Sequence, residues 1–478
     1  MWFPGILLTL HISLVILMLC IILLRRTGNS DTRLAWIVFV VLAPFVGALA
    51  YLFFGGQRIG GRRRKRHRDI HNELFHMRTD DVRSLQASVA NIPEPWARVF
   101  SLAGAVTDTD VNGGHELRLT GRPEDFADEF IREIDAATDT VHILTYIYLD
   151  DEIGQLVAGA LSKAAKRGIM VRLLVDSVGS RGFLGSTTCN QLKIDGVHVG
   201  EMLPARIFRV LFSRMDIRNH RKIAIFDNAI GWVGSRNIAS PSFAPKARFA
   251  PWVDCMARVK GPVIHDLQLL FLEDWYLATG ENRHEYLCVP SVPTQGHACC
   301  QVMGTGPNCN NEALQQILQT CFHAAQREII LTTPYFVPDT ATEAALRSAS
   351  LRGVRTLLIV PARNDSFLVS LASRSHYACL IEAGVEIQEF TAGLLHAKTM
   401  TIDGSLFMLG SANLDRRSLE LNFEVSMLGW CPEFASTLRF LQTSYLNECE
   451  PVDAAKWLRQ RALPRMGYNL AGLLSPLL

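Results

Sequence analysis

Two histidines, two lysines and a matching set of small polar residues recur in this chain at one spacing. The first set is His220, Lys222, Asp227, Gly234, Ser235 and Asn237; the second is His396, Lys398, Asp403, Gly410, Ser411 and Asn413. Histidine and asparagine are 17 positions apart in both sets and every intermediate offset agrees, giving HxKx4Dx6GSxN twice. One HxK is noise, whereas two matched copies are a highly specific signal. Face to face, the copies supply two imidazoles and two ammonium groups, with Ser235, Asn237, Ser411 and Asn413 as nearby donors. That constellation suits an anionic, tetrahedral substrate. It suits a divalent metal poorly, since the lysines would repel the cation. A phosphate diester fits. One neutral histidine attacks phosphorus to form a phosphohistidine, while the other, protonated, donates to the leaving oxygen. The roles reverse when an acceptor alcohol arrives.

The elements around each set must hold it in place. Residues two apart on a strand project from the same face, so each His-x-Lys pair shares one side. Asp403-Gly404 is a dipeptide of tight hairpin turns, and SLFML reads as the returning strand. Asp227 and Asp403 lie seven residues beyond their histidines. On a strand that is roughly 23 Å, too far to touch the ring. They are expected to fix the hairpin turn and to bond backbone or neighbouring groups. Aligning the repeats pairs Asp254 in WVDCM with Glu424 in NFEVSM. Each opens the strand after its hairpin and is expected to return beside the histidine as its orienting carboxylate.

The surrounding text repeats as well. VHILTYI (141–147) reads as a strand, 151–166 carries a helical apolar stripe, Gly168 suits a helix end, and IMVRLLV (169–175) reads as a second strand. EIILTT (328–333), a helix over about 339–352, Gly353 and VRTLLIV (354–360) mirror that unit before the second hairpin. A strand and a helix follow each hairpin, the helices from about 262 to 278 and 433 to 448. The ordered repeat implies two homologous α/β halves, 106–290 and 291–478, each carrying half a site.

The amino end is different. Hydrophobic residues make up 49% of the chain, high for a wholly soluble protein. Residues 1–24 hold no Lys, Arg, Asp or Glu, and a second uncharged run covers 34–54. As helices, about 4–24 and 34–54 form a transmembrane hairpin within 1–56, since about 20 residues span a bilayer. A signal peptide would want a basic start and a small-residue cleavage site, and neither is evident. Residues 57–105 read as a basic juxtamembrane segment and linker. Seven basic residues (Arg58, Arg62 to Arg66 and Arg68) follow the second run, against three (Arg25, Arg26, Arg33) between the runs. That asymmetry places the bulk of the chain in the cytoplasm. The cluster also suits anionic lipid head groups, and its position fits nucleic acid least. Eleven scattered cysteines without CxxC pairs read as reduced and mostly buried, and Cys299, Cys300 and Cys309 lack metal-ligand spacing.

The doubled motif resembles the phospholipase D superfamily over residues 106–478. The finer resemblance is to bacterial cardiolipin synthases, through Tyr335-Phe336-Val337-Pro338, Gly304-Thr305-Gly306-Pro307, Pro251-Trp252-Val253-Asp254, Leu414 to Glu424 and the paired amino-terminal runs. It implies an α/β fold of two pseudo-twofold-related phospholipase D-like α-β-α domains after an amino-terminal two-helix transmembrane hairpin. It further implies a multi-pass protein of the bacterial inner membrane, catalytic on the cytoplasmic side. Two phosphatidylglycerol molecules would give cardiolipin and glycerol without metal, cofactor or nucleotide. His220, Lys222, Asp227, His396, Lys398 and Asp403 would form the catalytic set, with His220 as nucleophile and His396 as acid. The apparent symmetry of the halves leaves that order open, and the sequence leaves open which alcohol is the acceptor. Two rival readings stand beside it: a membrane-bound phospholipase D or nuclease that hydrolyses its diester, and a lipid-binding scaffold with a vestigial site.

Overall fold

The computed structural model describes residues 3–24, 30–55, 61–76, 92–120, 123–204, 216–287, 296–307, 309–310 and 312–473. Arg25, Arg26, Arg58, the side chains of Arg62 to Arg64, and most of the linker expected before residue 92 lie outside the described residues. The chain divides into two compact units, Met1–Arg64 with Ala205–Ile217 and Lys65–Pro204 with Arg218–Leu478.

In the first unit, the helix Phe3–Leu23 stands where the first apolar run predicts it. The second run is not one helix. It forms Ser30–Leu42 and Pro44–Phe54, broken at Ala43, whose φ of −140° and ψ of 71° are non-helical. Pro44 explains the break: it has no N–H to donate, and its ring drives the preceding residue out of the helical region. Gly47 then lets the pieces fold together, because a Cβ there would meet Val40 Cα at 2.8 Å. Met18, Ile22, Val40, Ala48 and Tyr51 form a small core. Among the described residues, no helix is long and apolar enough to cross a membrane.

The segment expected to be a linker is partly helical, over Gly61–His76 and Trp96–Thr107. Ile70 and Leu74 of the former are buried with Leu267, Phe271 and Trp275, four-residue spacing placing both on one helical face.

Strands of the second unit, in chain order, are β1 (Asn112–Thr120), β2 (Thr140–Thr145), β3 (Met170–Asp176), β4 (His198–Met202), β5 (Ile223–Phe226), β6 (Ile230–Gly234), β7 (Trp252–Val253), β8 (Met256–Lys260) and β9 (Ala298–Thr305). They continue as β10 (Glu328–Thr332), β11 (Phe336–Val337), β12 (Arg355–Pro361), β13 (Glu386–Phe390), β14 (Leu394–Leu395), β15 (Thr399–Ile402), β16 (Leu406–Gly410), β17 (Leu414–Asp415), β18 (Glu424–Trp430) and β19 (Cys449–Pro451). One sheet runs β19-β13-β12-β10-β15-β16-β18-β9-β1-β8-β6-β5-β2-β3-β4. Outward from the antiparallel β9–β1 seam, the order is the same in both directions: β18, β16, β15, β10, β12, β13 against β8, β6, β5, β2, β3, β4.

Side-chain alternation assigns the sheet faces. Leu144, Ile330, Leu357 and Ile359 pack with the helices Ile264–Thr279 and Pro432–Ser444. Their neighbours Ile143, Ile329, Leu331 and Leu358 face the opposite helix layer, which includes Glu152–Lys166 and Thr340–Leu351. Asp151 and Asp339 cap those two helices, each accepting backbone N–H groups. The result is an α-β-α sandwich with a mixed sheet. All ten described cysteines are free thiols, six of them buried.

Candidate active site

Each hairpin closes with two consecutive residues at positive φ, Asp227 (51°) and Asn228 (49°) in one, Asp403 (53°) and Gly404 (68°) in the other. That is the turn whose twist matches paired strands. The two aspartates hold the hairpins to the sheet. Asp227 accepts the backbone N–H of Thr138, Asp139 and Thr140, each at 2.8 Å. Asp403 accepts those of Gln326, Arg327 and Glu328 at 2.9, 2.7 and 2.9 Å. This turn-fixing part is the one the spacing predicts, and it keeps both carboxylates off the histidines.

At the other hairpin end, His220 and His396 are buried, and Nδ1 of each donates to a carboxylate. The partners are exchanged. His396 Nδ1 bonds Asp254 Oδ1 at 2.7 Å, and His220 Nδ1 bonds Glu424 at 3.0 and 3.1 Å. The alignment of repeats picks out the right two carboxylates but expects each beside the histidine of its own hairpin; the structure gives each to the other. Short parallel contacts across the halves cause this. β7 pairs with β14, and His396 N–H donates to Val253 O at 2.7 Å. Likewise His220 N–H donates to Phe423 O at 2.8 Å, beside the Asn219–Phe423 bridge. The residue after Val253 is Asp254 and the residue after Phe423 is Glu424. Each histidine's backbone thus docks one position before its carboxylate.

The serines serve those carboxylates. Ser235 Oγ donates to Asp254 at 2.7 Å, and Ser411 Oγ donates to Glu424. Each also accepts a backbone N–H at 3.0 Å, from Cys255 or Val425. Both hydroxyls, expected as substrate donors, thus give their proton to an orienting carboxylate. Asn237 Oδ1 accepts Ile147 N–H at 3.1 Å, whereas Asn413 Oδ1 is buried with no hydrogen-bond partner among the described residues.

Neither His-x-Lys segment is itself a strand, contrary to the expectation: residues 220–222 precede β5 and 396–398 lie between β14 and β15, the histidine N–H of each bonding the opposite half instead. Nζ of Lys222 and of Lys398 each donates to the backbone carbonyl of its own histidine at 2.6 Å. With Nδ1 of both rings so engaged, neither Nε2 makes a hydrogen bond among the described residues. Those two nitrogens are left for a substrate.

Burial governs the protonation states. Desolvation pulls His220 and His396 down to about 4 against the lift of Glu424 and Asp254, and Lys222 and Lys398 oppose that lift. Desolvation also brings Lys398 to about 7 and Lys222 well below an ordinary lysine. Burial thus favours the neutral form of both rings. Each ring feels the lysine of the other half, which places the two half-sites within electrostatic reach.

Several residues escaped the sequence reading. Arg221, the middle residue of the first HxK, is buried with Nη1 on Asp274 at 2.8 Å and Nε on Glu424 O at 3.0 Å. Asn219 also donates to Asp274, at 2.8 Å. Tyr146 meets His220 edge-on with centroids 4.9 Å apart, and Trp252 lies 4.7 Å from His396. Tyr146 and Trp252 sit inside stretches read only as strand and family signature.

An α-β-α sandwich whose two His-x-Lys segments are joined through exchanged carboxylates defines a phospholipase D-like phosphodiester enzyme. The chain belongs to the cardiolipin synthase family within that class: residues 130–275 and 318–440 match the family described as "Cardiolipin synthase, PLD-like domain". Residues 13–56 match the "Phospholipase_D-nuclease N-terminal" family. The chain is 34% identical over 463 residues to cardiolipin synthase A of Proteus mirabilis (strain HI4320), covering 96% of this chain and 95% of that protein. It is 35% identical over 463 residues to cardiolipin synthase A of Edwardsiella ictaluri (strain 93-146), with the same coverage. The solved phosphatidylserine synthase of Haemophilus influenzae Rd KW20 shares the fold, with a TM-score of 0.57 at 14% identity over 80% of this chain and 97% of that one.

Proposed function

We propose that this protein is a cardiolipin synthase that transfers a phosphatidyl group from one phosphatidylglycerol to another. The exchanged histidine–carboxylate pairs carry this reading. Each carboxylate fixes the tautomer with its proton on Nδ1, so Nε2 holds the lone pair that a nucleophile needs. His220 Nε2 attacks the phosphorus of the first lipid, and the bond to its terminal glycerol oxygen breaks. His396 gives that oxygen a proton, and glycerol leaves. The hydroxyl of a second phosphatidylglycerol then returns its proton to His396 and attacks phosphorus. The P–N bond breaks, cardiolipin forms and His220 is restored. The order of the two rings follows the family resemblance. Burial favours the neutral form of both, so His396 takes up its proton as the phosphate anion arrives and offsets desolvation. Lys222, Lys398, Asn237 and Asn413 face the transferring phosphate, while Ser235 and Ser411 hold the orienting carboxylates.

Mirrored strand order supports reading the catalytic body as two pseudo-twofold-related halves, 106–290 and 291–478. Leu10, Ile16, Leu17, Leu34, Leu42, Val46 and Leu49 of the first unit are each more than half exposed, an apolar surface suited to lipid. This supports a membrane-embedded amino end, with the basic run holding the catalytic body on the cytoplasmic side of a bacterial inner membrane. Tethering the site to lipid raises the local concentration of lipid alcohol over dissolved substrate and favours transfer. Incubating the purified protein with phosphatidylglycerol vesicles tests the function: cardiolipin and glycerol support it. Phosphatidic acid alone would show hydrolysis instead, and full lipid binding without turnover would show a scaffold.

A further inference from the structure

The last described helix, Ala462–Leu473, has two apolar faces rather than one. Its inner face is accounted for. Ala471 is buried with Val337, Val369 and Ala372, Gly472 lies against Ser375, and Tyr468 stacks on Trp457 with centroids 5.7 Å apart. Leu463, Met466, Leu470 and Leu473 point away, with exposures of 74, 65, 64 and 76%. At 100° per residue these four fall within an arc of roughly 80°, nearly opposite Ala471 and Gly472. The neighbouring helix Phe367–Ser375, which packs on the same small cluster, adds Phe367 (74% exposed) and Leu368 (44%).

Charge distinguishes the occupant. From Ala454 to Leu473 there is no Asp or Glu, while Lys456, Arg459, Arg461 and Arg465 supply four cations. All four are exposed. An exposed apolar stripe flanked by arginines fits the boundary between acyl chains and anionic head groups, where the apolar side chains enter lipid and the guanidinium groups stay at the phosphates.

Two short stretches of chain join the patch to the surroundings of the site. Phe367 follows Asp365 by two positions. Asp365 accepts the Tyr335 hydroxyl at 2.6 Å, pairs with Lys246, and acts electrostatically on Lys398. Val337, which packs on Ala471, lies two residues past Tyr335.

We infer that the face formed by Leu463, Met466, Leu470, Leu473, Phe367 and Leu368 is a second membrane contact, which docks the catalytic body on an anionic phospholipid surface. It rests on the proposed lipid chemistry, but it adds a contact made by the catalytic body itself rather than by the amino-terminal helices. Its use is access: a body seated on the bilayer at this face takes its diacyl substrates from the lipid surface.

The test uses the full chain in vesicles of phosphatidylglycerol and phosphatidylcholine, with p-benzoylphenylalanine in place of Leu470. Irradiation should attach lipid at that position, and vesicles of phosphatidylcholine alone should give several-fold less. Crosslinking to a second copy of the chain, or no lipid capture at all, overturns the proposal. The same probe in place of Leu17 tests the membrane reading of the amino end, so capture at 17 without capture at 470 overturns this inference alone. A second variant, Leu463→Gln with Leu470→Gln, should lower turnover of vesicle-borne phosphatidylglycerol about tenfold. It should leave turnover of a dispersed short-chain analogue unchanged. Equal loss on both substrates, or loss on neither, contradicts the inference.

Discussion

Asp254 belongs to the strand region that follows the first hairpin, yet its carboxylate lies 2.7 Å from Nδ1 of His396, in the second. Glu424 returns the relationship to His220. Neither half can build an oriented imidazole alone. The prediction is that Asp254→Asn and Glu424→Gln each lower cardiolipin formation about a hundredfold, the order expected when a histidine loses its orienting partner. Circular dichroism should stay native. Near-normal turnover in either variant would refute the orienting role.

The motif aspartates should behave differently. Asp227 and Asp403 each collect three backbone N–H groups far from the rings, so Asp227→Ala or Asp403→Ala should cost stability, about 1–3 kcal/mol each. Thermal unfolding reads that loss, and activity per folded molecule should fall far less than in the Asp254 variant. Burial alone would raise the Asp227 carboxyl, but the N–H groups of Thr138, Thr140 and Asp139 outweigh it and hold it below 3.8. Its contribution is therefore present above that value and is lost as pH falls through the lower, folded-state one.

The two rings predict the acid side of the stability curve. Folded, they titrate at about 4, against 6.5 for a free imidazole. Between those values the unfolded chain binds more protons, so stability falls as pH falls from 6.5 towards 4. Denaturant midpoints measured over that window should decline in the parent protein. The decline should flatten in His220→Gln combined with His396→Gln.

The buried pair of Arg221 and Asp274, each 1% exposed in its side chain, ties the first His-x-Lys segment to the helix Ile264–Thr279. Arg221→Met would leave Asp274 without its cation, at a cost of about 3–5 kcal/mol. Differential scanning calorimetry should show it as a large loss of thermal stability. The double variant with Asp274→Leu should recover part of it.

What the residues disclosed in one dimension was local. The Asp403-Gly404 dipeptide closed its hairpin, and apolar periodicity found the helices near 152–166 and 340–351, whereas the His-x-Lys segments expected on strands lie just before them. The missed features depend on contacts distant in sequence. The exchange of Asp254 and Glu424 hangs on two-residue strand contacts such as β7 with β14, which have no periodicity to read. Ser235 and Ser411 look like substrate donors until the carboxylates arrive beside them. Pro44 stands inside the second apolar run, where its ring and missing N–H end the helix at Leu42. The helix Gly61–His76 hid in a strongly charged stretch whose apolar stripe is only Ile70 and Leu74.

Trapping the covalent intermediate tests the shared-phosphorus claim most directly. Phosphatidylglycerol labelled at phosphorus, mixed with the protein and quenched in alkali, should leave an acid-labile label on the peptide containing His220. The label should be absent from His220→Ala, and cardiolipin formation should be lost in both His220→Ala and His396→Ala. A label on any other residue type, or continued cardiolipin synthesis after removal of either ring, would contradict the account.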